Sequence, residues 1–106
     1  MTDHADTVHV VDLPAEDRFV VRTGGAEAEL VYRVSGDRIF LVHTEVPESL
    51  GGRGIGGQLV RASVRRAEGD HLTIVPWCPF ARRWLKEHPD EAGGVTVDFK
   101  TPAPEE

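Results

Sequence analysis

A glycine-rich segment is the part of the sequence best suited to bind a charged ligand. Residues 50–60 read LGGRGIGGQLV; they follow a predicted strand and open a predicted helix. Their glycines let backbone N–H groups converge without obstruction by Cβ atoms, and the first turn of a helix carries partial positive charge. The segment therefore predicts a phosphate-binding loop, to which Arg53 can add a bidentate contact. The alternative is a flexible loop that merely precedes a helix. The glycines in question are Gly52, Gly54, Gly56 and Gly57.

Two common phosphate-binding patterns do not account for this loop. Gly52, Gly54 and Gly57 satisfy the dinucleotide pattern G-x-G-x-x-G. That fingerprint needs a unit of parallel strands, whereas this loop follows a predicted antiparallel meander. The acidic residue expected about 20 residues further on is absent, because Val75-Pro76-Trp77 stands there. No Lys-Ser or Lys-Thr follows the glycines, which excludes the P-loop pattern.

Cys78 is the first candidate for covalent or acid chemistry. It precedes Pro79, a residue typical of the first helical position, so its thiol is expected at or beside a helix N-cap. The helix dipole favours the thiolate form at such a position. Near an acyl thioester, this group could act as a nucleophile or as a proton donor to the departing thiolate. The alternative is an inert core thiol flanked by Pro76, Trp77 and Phe80.

His43 and Glu45 are candidates for a general base. The period of two along a strand places both on the face that carries Leu41. Either group could take a proton from an amine acceptor, and Glu45 could alternatively hold a substrate ammonium group. A histidine among apolar neighbours is, however, more often a core residue. The other histidines show no metal-ligand spacing, so no metal site is predicted.

Hydrophobic periodicity predicts the elements that position these residues. Period two indicates strands at Val8–Asp12, Arg18–Thr23, Ala28–Val34, Arg38–Val46 and His71–Val75, with a last short strand at Val95–Phe99. Helical spacing indicates a helix from Gly54 to Glu68, ended by Gly69-Asp70, and a second from Pro79 to about His88. Gly24-Gly25 predicts a tight hairpin turn. The first half is therefore an antiparallel meander, and the order of elements predicts an α+β (mixed α/β) fold.

Size and composition restrict the classes of function. The chain has 106 residues, which predicts one domain over 1–106, with an ordered core at about 8–99 and frayed ends. Lys plus Arg is 12 and Asp plus Glu is 18, and a net charge of −6 argues against a nucleic-acid partner. No apolar run approaches the ~18 residues of a membrane span, and the polar N-terminus is not typical of a signal peptide. A single cysteine excludes an intramolecular disulfide. We therefore expect a cytoplasmic protein that does not bind membranes.

Three segments resemble a known family when they are taken together. They are HTEVP at 43–47, GGRGIGGQLV at 51–60 and VPWCPF at 75–80, followed by His88-Pro89. At these separations they look like the small one-domain members of the GNAT superfamily of N-acetyltransferases, the Yjdj-type acetyltransferase domain. The resemblance covers about Phe19 to Pro89. Gly54-Ile55-Gly56 fits part of the superfamily pattern [Q/R]-x-x-G-x-[G/A], whereas Gly51 stands at the Gln/Arg position.

The resemblance implies both a fold and a reaction. The fold would have a mixed sheet with a parallel β-α-β crossover and helices on both faces, and acetyl-CoA in a V-shaped opening between two strands. Acetyl-CoA would be the acyl donor, and a small amine or a protein lysine the acceptor. The tyrosine that many members use as general acid is missing, because Trp84 and Leu85 stand at that turn, and the resemblance points to Cys78 instead. Residues expected to contact acetyl-CoA are Thr44, Glu45, Val46, Gly52, Arg53, Gly54, Ile55, Gly56, Gly57, Gln58, Cys78 and Arg82.

Three functions follow from these patterns. The first is an N-acetyltransferase in which a primary amine attacks acetyl-CoA directly, or after acetylation of Cys78. The second is a module that binds acetyl-CoA or CoA with little or no transferase activity, which the missing tyrosine and the small size favour. The third is an interaction domain whose glycine loop is structural. The sequence selects no acceptor and leaves open whether the protein is a monomer or a weak dimer.

Overall fold

A five-stranded sheet, in which the strand order follows the chain order, forms the centre of the fold. The computed structural model describes residues 8–104. The strands are β1 (Val11–Leu13), β2 (Arg18–Thr23), β3 (Ala26–Ser35), β4 (Arg38–Glu45) and β5 (Thr73–Pro76). Neighbours are antiparallel from β1 to β4, whereas β5 runs parallel to β4. The predicted mixed sheet with an antiparallel meander and one parallel crossover is confirmed. The predicted frayed ends include residues 1–7 and 105–106, which lie outside the described residues.

The helices are α1 (Ile55–Asp70), which connects β4 to β5, and α2 (Pro79–Glu87), which follows β5. Short 3-10 helices occur at Pro14–Glu16, Glu48–Leu50 and Pro89–Ala92. In residues 8–104, neither α-helix is both long and apolar enough to cross a membrane. The β2–β3 hairpin closes over Gly24 and Gly25 with φ of 58° and 81°, the left-handed geometry that the Gly-Gly pair predicts.

Both helices pack on one face of the sheet. That face carries the alternating side chains Ala28, Leu30 and Tyr32, which belong to one apolar cluster with residues of α1 and α2. The two helices also contact each other directly. The expectation of helices on both faces is therefore not met. The chain passes from β4 through α1 to β5, and then from α2 to the far edge of β5, so both connections move in the same direction across the sheet. Because such connections are right-handed, both helices lie on the same side of the sheet.

Several predicted elements differ from the structure at their ends. The first strand, predicted at Val8–Asp12, is Val11–Leu13, and β5, predicted at His71–Val75, is Thr73–Pro76. Helix α1 runs through Gly69 and Asp70, and it ends at His71, whose φ of 57° is left-handed and whose N–H donates to the Ala67 carbonyl. The predicted strand at Val95–Phe99 is reduced to a single parallel bridge between Val97 and Ile74. Glycine ends a helix when it takes the left-handed position at the C-terminus. In α1 that position is taken by His71, so Gly69 remains helical.

A β-bulge in β4 changes which side chains face the helices. Leu41 pairs with Tyr32 but His43 pairs with Val31, so Val42 is an extra residue in β4. One extra residue reverses the alternation beyond it. His43 and Glu45 do share a face, as predicted, but it is the face opposite Leu41, which corrects that expectation. Thr44, paired with Leu30, turns towards the helices instead.

A side-chain network fills the C-terminal end of α1. The Arg66 guanidinium donates to Asp12 at 2.8 Å, to the Tyr32 hydroxyl at 3.0 Å and to Asp70 at 2.6 Å, while the Tyr32 O–H donates to Asp12. Burial and the bond to Asp12 raise the pKa of Tyr32 to about 12. The network thereby ties β1 and β3 to α1, across 54 residues of chain between Asp12 and Arg66.

Candidate functional site

The opening between β4 and β5 is the first feature of the site. The two strands pair only from Arg38 to Leu41, opposite Thr73 to Pro76. Beyond that point β4 continues to Glu45, whereas the segment after β5 leads into α2, whose N-cap is Cys78. The Cys78 N–H donates to the Leu41 carbonyl at 2.8 Å, and it is the last bond before the strands part. The pairing of the two parallel strands thus stops at their carboxyl ends, which is where the resemblance implies a V-shaped opening.

A cleft of about 720 Å³ lies beside this opening. Its wall combines the end of β4, the glycine-rich loop, the first turns of α1 and the start of α2. Only Glu48 and Arg61 among its lining residues carry charge. The full lining is Thr44, Val46, Pro47, Glu48, Leu50, Gly51, Gly52, Gly54, Ile55, Gly56, Gly57, Gln58, Arg61, Phe80 and Trp84.

Gly52 and Gly54 give the loop its backbone path. Their φ angles of 78° and 72° are left-handed, a region that residues with a Cβ rarely adopt. Gly54 is the N-cap of α1, and its carbonyl accepts the first helical bond, from the Gln58 N–H at 3.1 Å. The N–H groups of the first helical turn consequently have no partner inside α1. A helix N-terminus therefore lies at the position where the glycine spacing predicts an anion-binding site.

Gly56 and Gly57 are required for a different reason, the contact between α1 and α2. A Cβ at Gly56 would lie 2.7 Å from Cζ of Phe80, and one at Gly57 would lie 2.6 Å from Nε1 of Trp84. Both distances are far inside van der Waals contact. Without Cβ atoms, the backbone of α1 touches these two aromatic rings, which then form one wall of the cleft.

Cys78 sits at the N-cap of α2, as its position before Pro79 predicts. Its side chain is buried and does not line the cleft. The Sγ atom lies 3.2 Å from Oγ1 of Thr44, within hydrogen-bonding distance. Because Thr44 does line the cleft, the buried thiol is in contact with a residue of the cleft wall.

His43 and Glu45 lie apart from the cleft lining. Both side chains are exposed, and their Nε2 and Oε1 atoms are 3.4 Å apart. They belong to the part of β4 that has separated from β5, on the sheet face away from the helices. Any role for them must therefore be exercised from that opposite face.

The predicted contact residues fall into two groups. Those that line the cleft are Thr44, Val46, Gly52, Gly54, Ile55, Gly56, Gly57 and Gln58. Arg53 lines a separate small pocket with Arg22 and His9. The Arg82 guanidinium donates to the Phe99 carbonyl at 2.9 Å and lies over the Phe99 ring, so it is committed to the C-terminal segment. Glu45 and Cys78 are the other two that the cleft does not include.

The sequence interpretation missed three cleft residues on the helices. Phe80, Trp84 and Arg61 are absent from the predicted contacts, but all three line the cleft. Phe80 and Trp84 are one helical turn apart in α2. Their rings contact Gly56 and Gly57 of α1, respectively. That spacing is a signal only once α1 and α2 are known to touch. Within the part of the chain that the structure describes, no three His, Cys, Asp or Glu side chains form a group that could hold a metal ion.

Comparisons with known proteins agree with the fold described above. The model of the GCN5-related N-acetyl-transferase family matches residues 18–93. Protein NATD1 of Gallus gallus is 36% identical over 75 residues, which are 68% of this chain and 68% of that protein. The Xenopus tropicalis Protein NATD1 is 30% identical over 90 residues, covering 82% of this chain and 83% of its own. The NMR solution structure of a GCN5-like protein from Staphylococcus aureus superposes with a TM-score of 0.64 at 28% identity, covering 87% of this chain and 92% of that one.

Proposed function

Because the chain belongs to the GCN5-related N-acetyltransferase family, we propose that it transfers the acetyl group of acetyl-CoA to a primary amine. The observation that carries this proposal is that three structural features lie together. The parted ends of β4 and β5, the glycine loop and the N-terminus of α1 meet in one cleft of about 720 Å³. A cleft of that size suits an extended cofactor-sized molecule.

The residues of the cleft fit an acyl donor with a pyrophosphate and an apolar arm. The left-handed Gly52 and Gly54 leave the first-turn N–H groups of α1 free for an anion, which a helix N-terminus stabilises. Val46, Leu50 and Ile55 supply an apolar stretch of the wall for the pantetheine arm. The proposed donor contacts are Thr44, Val46, Gly52, Gly54, Ile55, Gly56, Gly57 and Gln58.

The proposed reaction is direct attack of the amine on the thioester. The amine nitrogen forms a bond to the acetyl carbon, the carbon–sulfur bond breaks, and the nitrogen loses one proton while the leaving thiolate gains one. Positioning of the two reactants and backbone N–H groups beside the carbonyl would supply most of the rate gain. His43 or Glu45 can serve as the base only for an acceptor that enters from the face opposite the helices.

The role of Cys78 depends on Thr44. As a nucleophile, Cys78 requires its buried Sγ to reach the cleft, which means that the Thr44 side chain must rotate away. As a proton donor to the leaving thiolate, it can act through the Thr44 hydroxyl without any such rotation. The contact geometry supports the second role over the acetyl-enzyme route.

Calorimetric titration with acetyl-CoA tests the proposal, with NADH as a control ligand. We expect micromolar binding of acetyl-CoA alone, and amine-dependent release of CoA across a panel of small amines and lysine peptides. Replacing Cys78 with Ser retains a hydroxyl donor and should keep part of the turnover that Cys78→Ala loses. Absence of acetyl-CoA binding at millimolar concentration would sink the proposal.

A second function, a CoA-binding module, is favoured by one observation, the buried position of Cys78 in a chain whose α2 lacks tyrosine. It predicts acetyl-CoA binding with no amine-dependent release of CoA, so the same two measurements separate it from the enzyme. We retain the cytoplasm as the proposed location, on the composition and charge of the chain.

A further inference from the structure

Among the described residues that line the cleft, Arg61 has the one cationic side chain. It follows Gly54 by seven residues, which places it roughly 10 Å along the axis of α1 at about 1.5 Å per residue. Its guanidinium also lies over the Trp84 ring, 5.5 Å from the ring centre. A cation is therefore held against the cleft wall, two helical turns beyond the anion-binding N-terminus.

The present partner of Arg61 is the Glu91 carboxylate, which is not one of the residues that line the cleft. Nε and Nη2 donate to the two oxygens of Glu91 at 3.0 and 3.1 Å. This bond lowers the pKa of Glu91 below its ordinary range. Both side chains are partly exposed, at 28% and 37%, so solvent weakens the attraction between them and another anion can compete for the guanidinium. The N–H groups of Nη1 remain for another acceptor.

We propose that Arg61 binds a phosphate group of the nucleotide end of coenzyme A, and that this phosphate displaces Glu91. The inference rests on the proposed function, because it takes acetyl-CoA as the ligand of the cleft. A guanidinium forms the same bidentate pair with phosphate as with carboxylate, and phosphate offers more charge. Glu91 is then a competitor that weakens binding, while Trp84 keeps the guanidinium in place during the exchange.

Calorimetric titration of acetyl-CoA into wild type and Arg61→Gln is the first test. We expect the affinity to fall about tenfold, because a hydrogen-bonded charge pair is lost. Arg65→Gln is the matched control: it removes the same charge from the same helix, near Glu91, but its side chain is exposed outside the cleft. Its affinity should stay within about twofold of wild type, since exposed charges are screened by salt.

Glu91→Gln should change the affinity in the opposite direction. Removal of the competing carboxylate frees Arg61, so acetyl-CoA should bind about threefold more tightly. Glu87→Gln, which neutralises an exposed carboxylate of α2 outside the cleft, serves as its control. This variant leaves Arg61 and Trp84 intact, so it remains informative even if Arg61→Gln unfolds more easily.

The 3′-dephospho form of acetyl-CoA distinguishes the two phosphate sources. If the Arg61→Gln effect disappears with this ligand, Arg61 binds the 3′-phosphate; if it persists, Arg61 binds the pyrophosphate. The inference is overturned if wild type binds acetyl-CoA but Arg61→Gln binds it equally well, or loses no more than Arg65→Gln. Failure of the wild-type protein to bind acetyl-CoA at all would instead overturn the proposed function, and the inference with it.

Discussion

The two ends of helix α1 are built in opposite ways. At its N-terminus three positions have no side chain, so the backbone faces a cleft or touches aromatic rings. These positions are Gly54, Gly56 and Gly57. At its C-terminus Arg66 fills the space between helix and sheet with hydrogen bonds to Asp12 and Tyr32. The first end is open to the cleft and the second is closed by the protein itself.

This difference assigns separate tasks to one element. Side chains at the closed end satisfy one another and stabilise the native state, whereas N–H groups at the open end are left for an external partner. Regions that bind ligands are commonly drawn from the less stable parts of a fold. We therefore expect substitutions at the closed end to change stability alone, and those at the open end to change binding as well.

The largest effect is expected from one substitution placed at both ends of α1. Gly57→Ala should lower the free energy of unfolding by about 2 kcal/mol, because the new Cβ meets the Trp84 ring at 2.6 Å. Gly69→Ala, where nothing lies within 4 Å of the added Cβ, should raise it by about 0.5–1 kcal/mol through helix propensity. Urea unfolding measures both values. Changes of the same sign would contradict the close contact between α1 and α2.

Arg66→Met tests whether the closed end acts on stability alone. We expect a loss of about 1.5 kcal/mol, since Asp12 and the buried Tyr32 hydroxyl lose a charged partner. Acetyl-CoA affinity should not change, because Arg66 lies roughly 18 Å from Gly54 along the helix axis. Urea unfolding and calorimetry on the same preparation provide the two readouts, with the exposed Arg65→Met as control. A weaker affinity for acetyl-CoA would mean that the two ends are coupled.

Gly54→Ala should cost about 1 kcal/mol of stability, because alanine is strained at a φ of 72°. Relief of that strain shifts the first-turn N–H groups, so acetyl-CoA should also bind more weakly. Gly54→Asn is the matched variant, since asparagine tolerates the left-handed region better. Unfolding and titration should rank the proteins as Gly, Asn, Ala. Equal behaviour of Asn and Ala would show that a side chain, and not the backbone angle, causes the loss.

The last prediction concerns alkaline pH at the closed end. The pKa of Tyr32 is raised to about 12 by burial and by Asp12, from about 10 in an unfolded chain. A raised pKa contributes stability that is present below about pH 10 and is lost as the pH rises towards about 12. Because Tyr32 is the single tyrosine, its ultraviolet absorbance reports this titration directly. A midpoint near 10 would contradict the network, and Tyr32→Phe should abolish the signal.

Much of the fold follows from local sequence patterns. Strand β2 occupies Arg18–Thr23 as predicted, and the Cys78-Pro79 pair marks the start of α2. These features depend on side-chain alternation and on the backbone preferences of glycine and proline, which neighbouring residues determine. The glycine loop and the residues after the β4 strand could be located as the site for the same reason.

The remaining features depend on contacts that local patterns do not encode. The bulge at Val42 has no signal in RIFLVHTE, yet it exchanges the faces of His43 and Thr44. The contacts of Gly57 with Trp84 and of Asp12 with Arg66 join residues far apart in the chain. Both helices lie on one face because of crossover handedness, which no single segment expresses.

The order of the strands in the sheet has a consequence for how the chain folds. Because β1 to β4 are neighbours both in sequence and in space, each can pair as soon as the next is present, with little loop-closure entropy to overcome. Only β5 must wait, since the sixteen-residue helix α1 has to form and dock before β5 reaches β4. We therefore expect the cleft to form last, after the antiparallel strands have paired. During synthesis, a chain that is still emerging would already hold its meander, but its cleft would not yet exist.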